Sequence, residues 1–334
     1  MRRWITPLGI VLVLQLALAL ALSLRRDPLT AVTTDTPLIA ATARSADRLV
    51  IAGPPAANSA SGPAKVELLK KDGGWIMPGY FDAPADAARV NGLIDRLAAL
   101  KRGLPIATTA SALQRFRVAD ADFERRVVLS RDGKQLGTLY FGESAGLRQT
   151  DARPAGERAV YTVDLPTYEL PAEPSGWLNG DLLRRQADQL VELDVGGDGH
   201  DSIDLTRKKA PNQPAAAWTA PALGAGQQID SAHVEALARD VAQIHVDGVL
   251  GTSAQPDWQQ DHPALTLKLQ DAASHSIDWT LSKPKNGDFY VLKSSLHPWY
   301  FSISSMLAQQ IIDAGARAAL VVSAKPANKS AGKS

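Results

Sequence analysis

Gly142-Glu143-Ser144-Ala145-Gly146 has the G-x-S-x-G spacing of a serine-hydrolase nucleophile elbow. That device needs a strand turning abruptly into a helix, so that the serine is presented at the helix N-terminus. A strand precedes the motif, but Leu147 to Glu157 carries Arg, Gln, Thr, Asp, Pro and Gly without helical periodicity. The segment therefore reads as a turn at a strand end, with a hydrolase using Ser144 as the alternative that the motif leaves open.

Asp194-Val195-Gly196-Gly197-Asp198-Gly199-His200-Asp201 has the composition of a calcium loop. It lacks the terminal Glu, the alternating ligands and the flanking helices of an EF-hand. An acidic hairpin turn is expected instead. All six histidines fall in the second half, at His200, His233, His245, His262, His275 and His297. None forms the H-x-H or H-x-x-x-H pair that brings ligands together on one element. No metal, cofactor or catalytic residue is assigned. The remaining candidate is a contact surface at His297, Trp299, Tyr300 and Phe301, read as an exposed loop that a glycan or lipid could meet. Trp279 alternates with Ile277 and Leu281 and reads as core.

The elements that would position these residues occur twice. Ala46-Asp47-Arg48-Leu49-Val50 returns as Ala187-Asp188-Gln189-Leu190-Val191, and Gly74-Trp75 as Ala217-Trp218. The helical residues Val90, Leu93, Leu97 and Leu100 return as Val234, Leu237, Val241 and Ile244. The offset drifts from 141 residues at Ala46 to 144 at Val90, as loops of unequal length would make it. In the first copy, Leu49 to Ile51 and Val66 to Lys70 predict a hairpin around a Pro/Gly loop. Asp82 is a candidate N-cap for the helix, which Lys101-Arg102-Gly103 and Pro105 stop. Arg131-Asp132-Gly133-Lys134 predicts a hairpin turn between strands 124–130 and 135–141. In the second copy Leu265, Leu267 and Leu269 alternate, as do Ile277, Trp279 and Leu281, the period of strands with one buried face. Short helices are expected at Pro166–Leu170, Asp181–Arg185 and Ile303–Ala314. The fold class is α+β: two tandem modules, each an antiparallel sheet with helices on one side.

The 334 residues are 45% apolar and 21% charged, enough for real cores. A net charge of +1 argues against nucleic acid, whose phosphates demand a concentrated basic face. Cysteine is absent, which excludes disulfides, thiolate metal sites and a Cys nucleophile. Residues 5–24 are uncharged and apolar. Twenty helical residues span about 30 Å, the thickness of a hydrocarbon core. Their eight Leu and four Ile or Val contribute about −4 to −7 kcal/mol to insertion. A cleaved signal peptide is the rival, with Ala17-Leu18-Ala19 as a small-x-small site, but the apolar run continues through it. The expected organisation is a stub and signal anchor (1–24), a linker (25–45), two repeats (46–185 and 186–322) and a disordered tail (323–334).

This arrangement resembles a bacterial family, domain-of-unknown-function family 4340. The resemblance rests on the N-terminal anchor, Gly74-Trp75, and the Asp-capped helix with Val90 and Leu97. It rests also on Leu139-Tyr140-Phe141-Gly142 and Val160-Tyr161-Thr162-Val163. It covers most of 46–185 and, more weakly, 186–320. It implies a non-enzymatic envelope subunit, encoded beside an ABC transporter of the gliding-motility type. The expectation is thus a periplasmic accessory or scaffold protein, anchored in the bacterial inner membrane through residues 5–24 beside a permease.

Overall fold

The computed structural model describes residues 15, 36–55, 64–198, 200–210 and 213–324. Apart from Gln15, the expected anchor at 5–24 lies outside the described residues, as does the expected tail (323–334) beyond Ala324; Ser323 is not tail, because it pairs with Gln227 in a strand. Among the described residues no helix is long and apolar enough to cross a membrane.

The chain enters through a short 3-10 helix, Ala41–Ser45, and forms β1 (Arg48–Ala52), β2 (Lys65–Lys71), β3 (Gly74–Met77) and β4 (Ala83–Pro84). Two helices follow, α1 (Ala87–Ala99) and α2 (Ala110–Arg115). Next come β5 (Arg125–Arg131), β6 (Lys134–Gly146), β7 (Gln149–Pro154) and β8 (Tyr161–Val163). These strands make an eight-stranded sheet in the order β4-β3-β2-β1-β5-β6-β7-β8. The later part comprises β9 (Leu190–Gly197), β10 (His200–Thr206), β11 (Gln227–Ile229), α3 (Ser231–Ala242) and β12 (Gly248–Gly251). It continues through β13 (Leu265–Asp271), β14 (Ser276–Ser282), β15 (Phe289–Ser294) and β16 (Tyr300–Ser304). It closes with α4 (Ser305–Gly315), α5 (Arg317–Leu320) and β17 (Val321–Ser323). Its seven-stranded sheet runs β10-β9-β13-β14-β15-β16-β12, and β11 pairs separately with β17. Both large sheets are antiparallel, which makes the protein α+β.

Packing divides the chain into two compact units, residues 1–64 with 92–170, and residues 65–91 with 171–334. The sequence boundaries 46–185 and 186–322 are therefore not the boundaries of compaction.

Six strands of each large sheet match in order. The series β2-β1-β5-β6-β7-β8 has the same order as β10-β9-β13-β14-β15-β16. Leu49 faces Leu129 and Ile51 faces Val127 in one, while Leu193 faces Leu269 and Val195 faces Leu267 in the other. All eight side chains are buried, as the two-residue alternation requires. Asp86 Oδ1 accepts the N–H groups of Ala88 and Arg89, and Asp230 Oδ1 those of Ala232 and His233. Each carboxylate satisfies donors that a helix start leaves orphaned. The indole N–H of Trp75 donates to Asn91 at 2.9 Å, and that of Trp218 to Glu235 at 2.7 Å. Arg117 and Gln259 both adopt left-handed backbone, with φ 52° in each. Arg102 N–H donates to the Thr36 carbonyl, and Val246 N–H to that of Gly180, each a repeat-length apart.

Several expectations need correction. Asp82 is not the helix cap: it sits in a turn with φ 53°, and the next two residues form β4, so the helix begins after Asp86. The end of the expected linker is packed structure. Leu38 N–H donates to the Leu100 carbonyl at 2.7 Å, and Leu38, Ile39 and Ala43 are buried. Only a 3-10 turn, Thr167–Glu169, forms within 166–170, and 181–185 is a turn without a helix. The closing helix starts later than expected because Tyr300–Ser304 is strand, and Ser304 Oγ then caps α4 by accepting Leu307 N–H.

Candidate functional site

Ser144 lies within β6, opposite Thr150 of β7, and the chain turns into a hairpin instead of a helix. Its hydroxyl donates to the Gly146 carbonyl at 2.7 Å and lies 3.2 Å from that of Gln149. The elbow's strand-to-helix geometry is therefore not what this motif builds. Gly142 serves packing: a Cβ there would overlap the Phe116 carbonyl oxygen. The matching place in the other sheet holds Ser282, whose hydroxyl donates to the Trp258 carbonyl at 2.5 Å.

The acidic stretch at 194–201 is the β9–β10 hairpin, with Gly197 paired to His200. Asp204, Asp194, Lys268 and Asp278 stand opposite one another across β10, β9, β13 and β14. Burial pushes the Asp194 carboxyl above the usual range, and the facing Asp204 charge adds to this, while Lys268 opposes it. Four histidines each engage one aspartate: His233 with Asp230, His245 with Asp181, His262 with Asp198 and His275 with Asp271, at 3.0–3.4 Å. The His200 side chain lies outside the described residues. No grouping of three or more His, Asp or Glu that could hold a metal occurs among the described residues.

The aromatic run at the start of β16 is an internally bonded cluster. Phe301 is fully buried, which places it in the core and not on a contact surface. The His297 ring stacks on Trp299 at 5.5 Å and meets the Phe301 ring edge-on at 6.2 Å. Trp299 donates its indole N–H to the Phe81 carbonyl at 2.8 Å, and Tyr300 packs on Trp258 at 5.0 Å. Burial holds the His297 imidazole below its usual value, and the Arg185 and Lys293 charges act in the same direction. The Trp299 indole N–H is thus engaged by its own unit, and the His297 and Tyr300 rings pack against neighbouring rings of that unit.

Two buried charged groups had no motif to announce them. Arg207, whose side chain is 2% exposed, donates to the carbonyls of Leu190 and Ala187 and to both carboxylate oxygens of Glu235. Its guanidinium lies 4.3 Å from the Trp218 ring centroid. The sequence signal for this was weak: an Arg two residues beyond the alternating Ile203 and Leu205.

Asp151 on β7 is 7% exposed and accepts the Thr162 hydroxyl at 2.9 Å. Burial raises its carboxyl above the ordinary 3.8, the Thr162 bond only partly opposing this. A raised value means that the protonated form favours folding. That contribution is complete below 3.8 and is lost as pH climbs through the raised value. Asp151→Asn, neutral at every pH, should therefore be more stable than wild type at pH 7, with the gap closing as the pH is lowered below 3.8. Urea midpoints across this range check it, and a gap that widens on acidification contradicts it.

A family model described as Domain of unknown function (DUF4340) matches residues 75–263. Neither a curated protein nor a solved structure matches the chain.

Proposed function

Because the chain belongs to the family described as Domain of unknown function (DUF4340), whose description names no reaction, we propose a scaffold role. The protein is read as a non-catalytic accessory subunit of an ABC-type transport or envelope system. Residues 5–24 hold it at the bacterial inner membrane, and a duplicated α+β module extends into the periplasm beside a permease. The observation that carries this reading is the shared order of six strands in the two sheets. Conserving a frame across two copies while one sets Gly142 against the Phe116 carbonyl and the other Ser282 against that of Trp258 is how scaffolds diverge. The groups that resembled chemistry support it as well: Ser144 bonds its own hairpin, and four histidines pair with single aspartates.

Full-length protein purified from its native membranes in mild detergent should bring a permease and its ATPase with it. Recovery of the chain alone, after cross-linking as well as without it, counts against the reading. Release of the chain from membranes by alkaline carbonate separately removes the anchor.

A further inference from the structure

In the unit formed by residues 1–64 and 92–170, four large hydrophobic side chains are exposed among those described: Leu104 (70%), Ile106 (45%), Tyr168 (69%) and Leu147 (96%). Single exposed hydrophobics are ordinary, and a concentration of them is not. Leu147 stands alone at the β6–β7 hairpin tip. Two of the other three adjoin in sequence a group at one open cleft of about 380 Å³, lined by Arg96, Lys101, Gly103, Thr162 and Asp164 among others. Leu104 follows Gly103 directly. Tyr168 precedes Glu169, whose carboxylate pairs with Arg96.

The frame itself does not require apolar side chains here. In the other sheet the corresponding stretch leads into β12, and the places of Leu104 and Ile106 are held by the polar, exposed His245 and Asp247. The two stretches align because Gly248 bridges Ser302 as Ala107 bridges Val160. The first copy keeps only that isolated bridge and leaves Leu104 and Ile106 outside.

The path of the chain says what covers them. Pro37 bridges Lys101, and the Thr36 carbonyl accepts Arg102 N–H at 2.8 Å, so the chain arrives from its N-terminal side against this same segment. Eleven residues lie between Leu24, the end of the apolar run, and Thr36, and such a tether reaches at most about 40 Å. Aliphatic side chains, a tyrosine and flanking cations are the composition of surfaces that settle into the bilayer interface. The exposed Lys101 stem can follow, keeping its charge in water, whereas the Arg102 guanidinium is held on both carboxylate oxygens of Glu157.

We propose that Leu104, Ile106 and Tyr168, beside Lys101, form a bilayer-contacting face that seats this unit on the membrane to which residues 5–24 tie it. The inference rests on the anchor reading above. Because the chain has no cysteine, a single Leu104→Cys carries one environment-sensitive fluorophore in the full-length protein, reconstituted into lipid nanodiscs. Its emission should shift to the blue and be largely lost to a spin-labelled phospholipid, while the same label at Leu147→Cys stays quenchable by aqueous iodide. Label at 104 that iodide reaches as readily as at 147 overturns the proposal. Shielding from iodide without lipid quenching overturns it too, by putting a protein there, and so does equal lipid quenching at both positions. A chain that does not remain with the discs fails the anchor and this inference together. One that remains with its label at 104 unquenched fails this inference alone.

Discussion

Gly142→Ala should destabilise the protein by about 3 kcal/mol or more, the upper end of what forcing an atom into a packed site costs. Gly146→Ala, in the same five-residue motif, should stay within about 0.5 kcal/mol of wild type. The difference comes from what each new Cβ meets. At position 142 it would overlap the Phe116 carbonyl oxygen and press on its carbon and on Val118. At position 146 its nearest neighbour is the flexible tip of Gln149, at an ordinary 3.9 Å.

The backbone at Phe116 cannot easily retreat. The next residue, Arg117, holds a left-handed conformation, and its guanidinium is paired to Asp122 and Glu124. The Phe116 and Val118 side chains also close the small cluster with Phe123, Tyr140 and Val160. Denaturant unfolding of the two variants is the check. A nucleophile elbow would need small residues at both ends of the motif, so comparable losses from both substitutions would speak against the packing account.

This pair also shows why part of the protein could be read from sequence and part could not. The alternation of Leu265, Leu267 and Leu269, and the spacing of Val90, Leu93 and Leu97, follow from local geometry, and the structure buries all six. The offset of 144 at the helices agrees with the cap pair Asp86 and Asp230, whereas the offset of 141 that sets Leu49 against Leu190 does not agree with the sheet register, in which Leu49 faces Leu129 as Leu193 faces Leu269. Asp86 displaced Asp82 as the cap because the Ala83-Pro84 pairing with Ile76 and Met77 delays the helix, and that pairing is not local. Residues 36–45 looked like a spacer because polar and Pro-containing sequence normally is one. Their place is set by backbone bonds to Leu100 and Arg102, which no side-chain pattern encodes. The His297–Phe301 run looked like a display of aromatics. Its strand register with Phe289 to Lys293, and the Phe81 carbonyl that receives the Trp299 indole, become visible only once the chain is folded.

Arg207→Ala should cost about 3–4 kcal/mol, placing it with losses from broken buried charge networks. The guanidinium supplies donors to the Leu190 and Ala187 carbonyls and forks onto Glu235. Glu235 is half exposed, so its carboxylate can rehydrate once the arginine is gone. The Leu190 carbonyl, on a fully buried residue, has less access to water, and an acceptor stranded in that way costs about 1–3 kcal/mol. The face of Trp218 then loses its stacked cation as well, worth about 0.5–2 kcal/mol. Lysine at this position keeps the charge but not the planar fork, so Arg207→Lys should recover less than half of the loss. Arg184→Ala, which breaks an ion pair exposed on both sides, should change stability by no more than about 0.5 kcal/mol. Urea unfolding of the three variants separates a network that holds β9, β10 and α3 together from a surface charge that does not. If Arg207→Ala unfolds within the error of Arg184→Ala, the guanidinium is not the tie that its partners suggest.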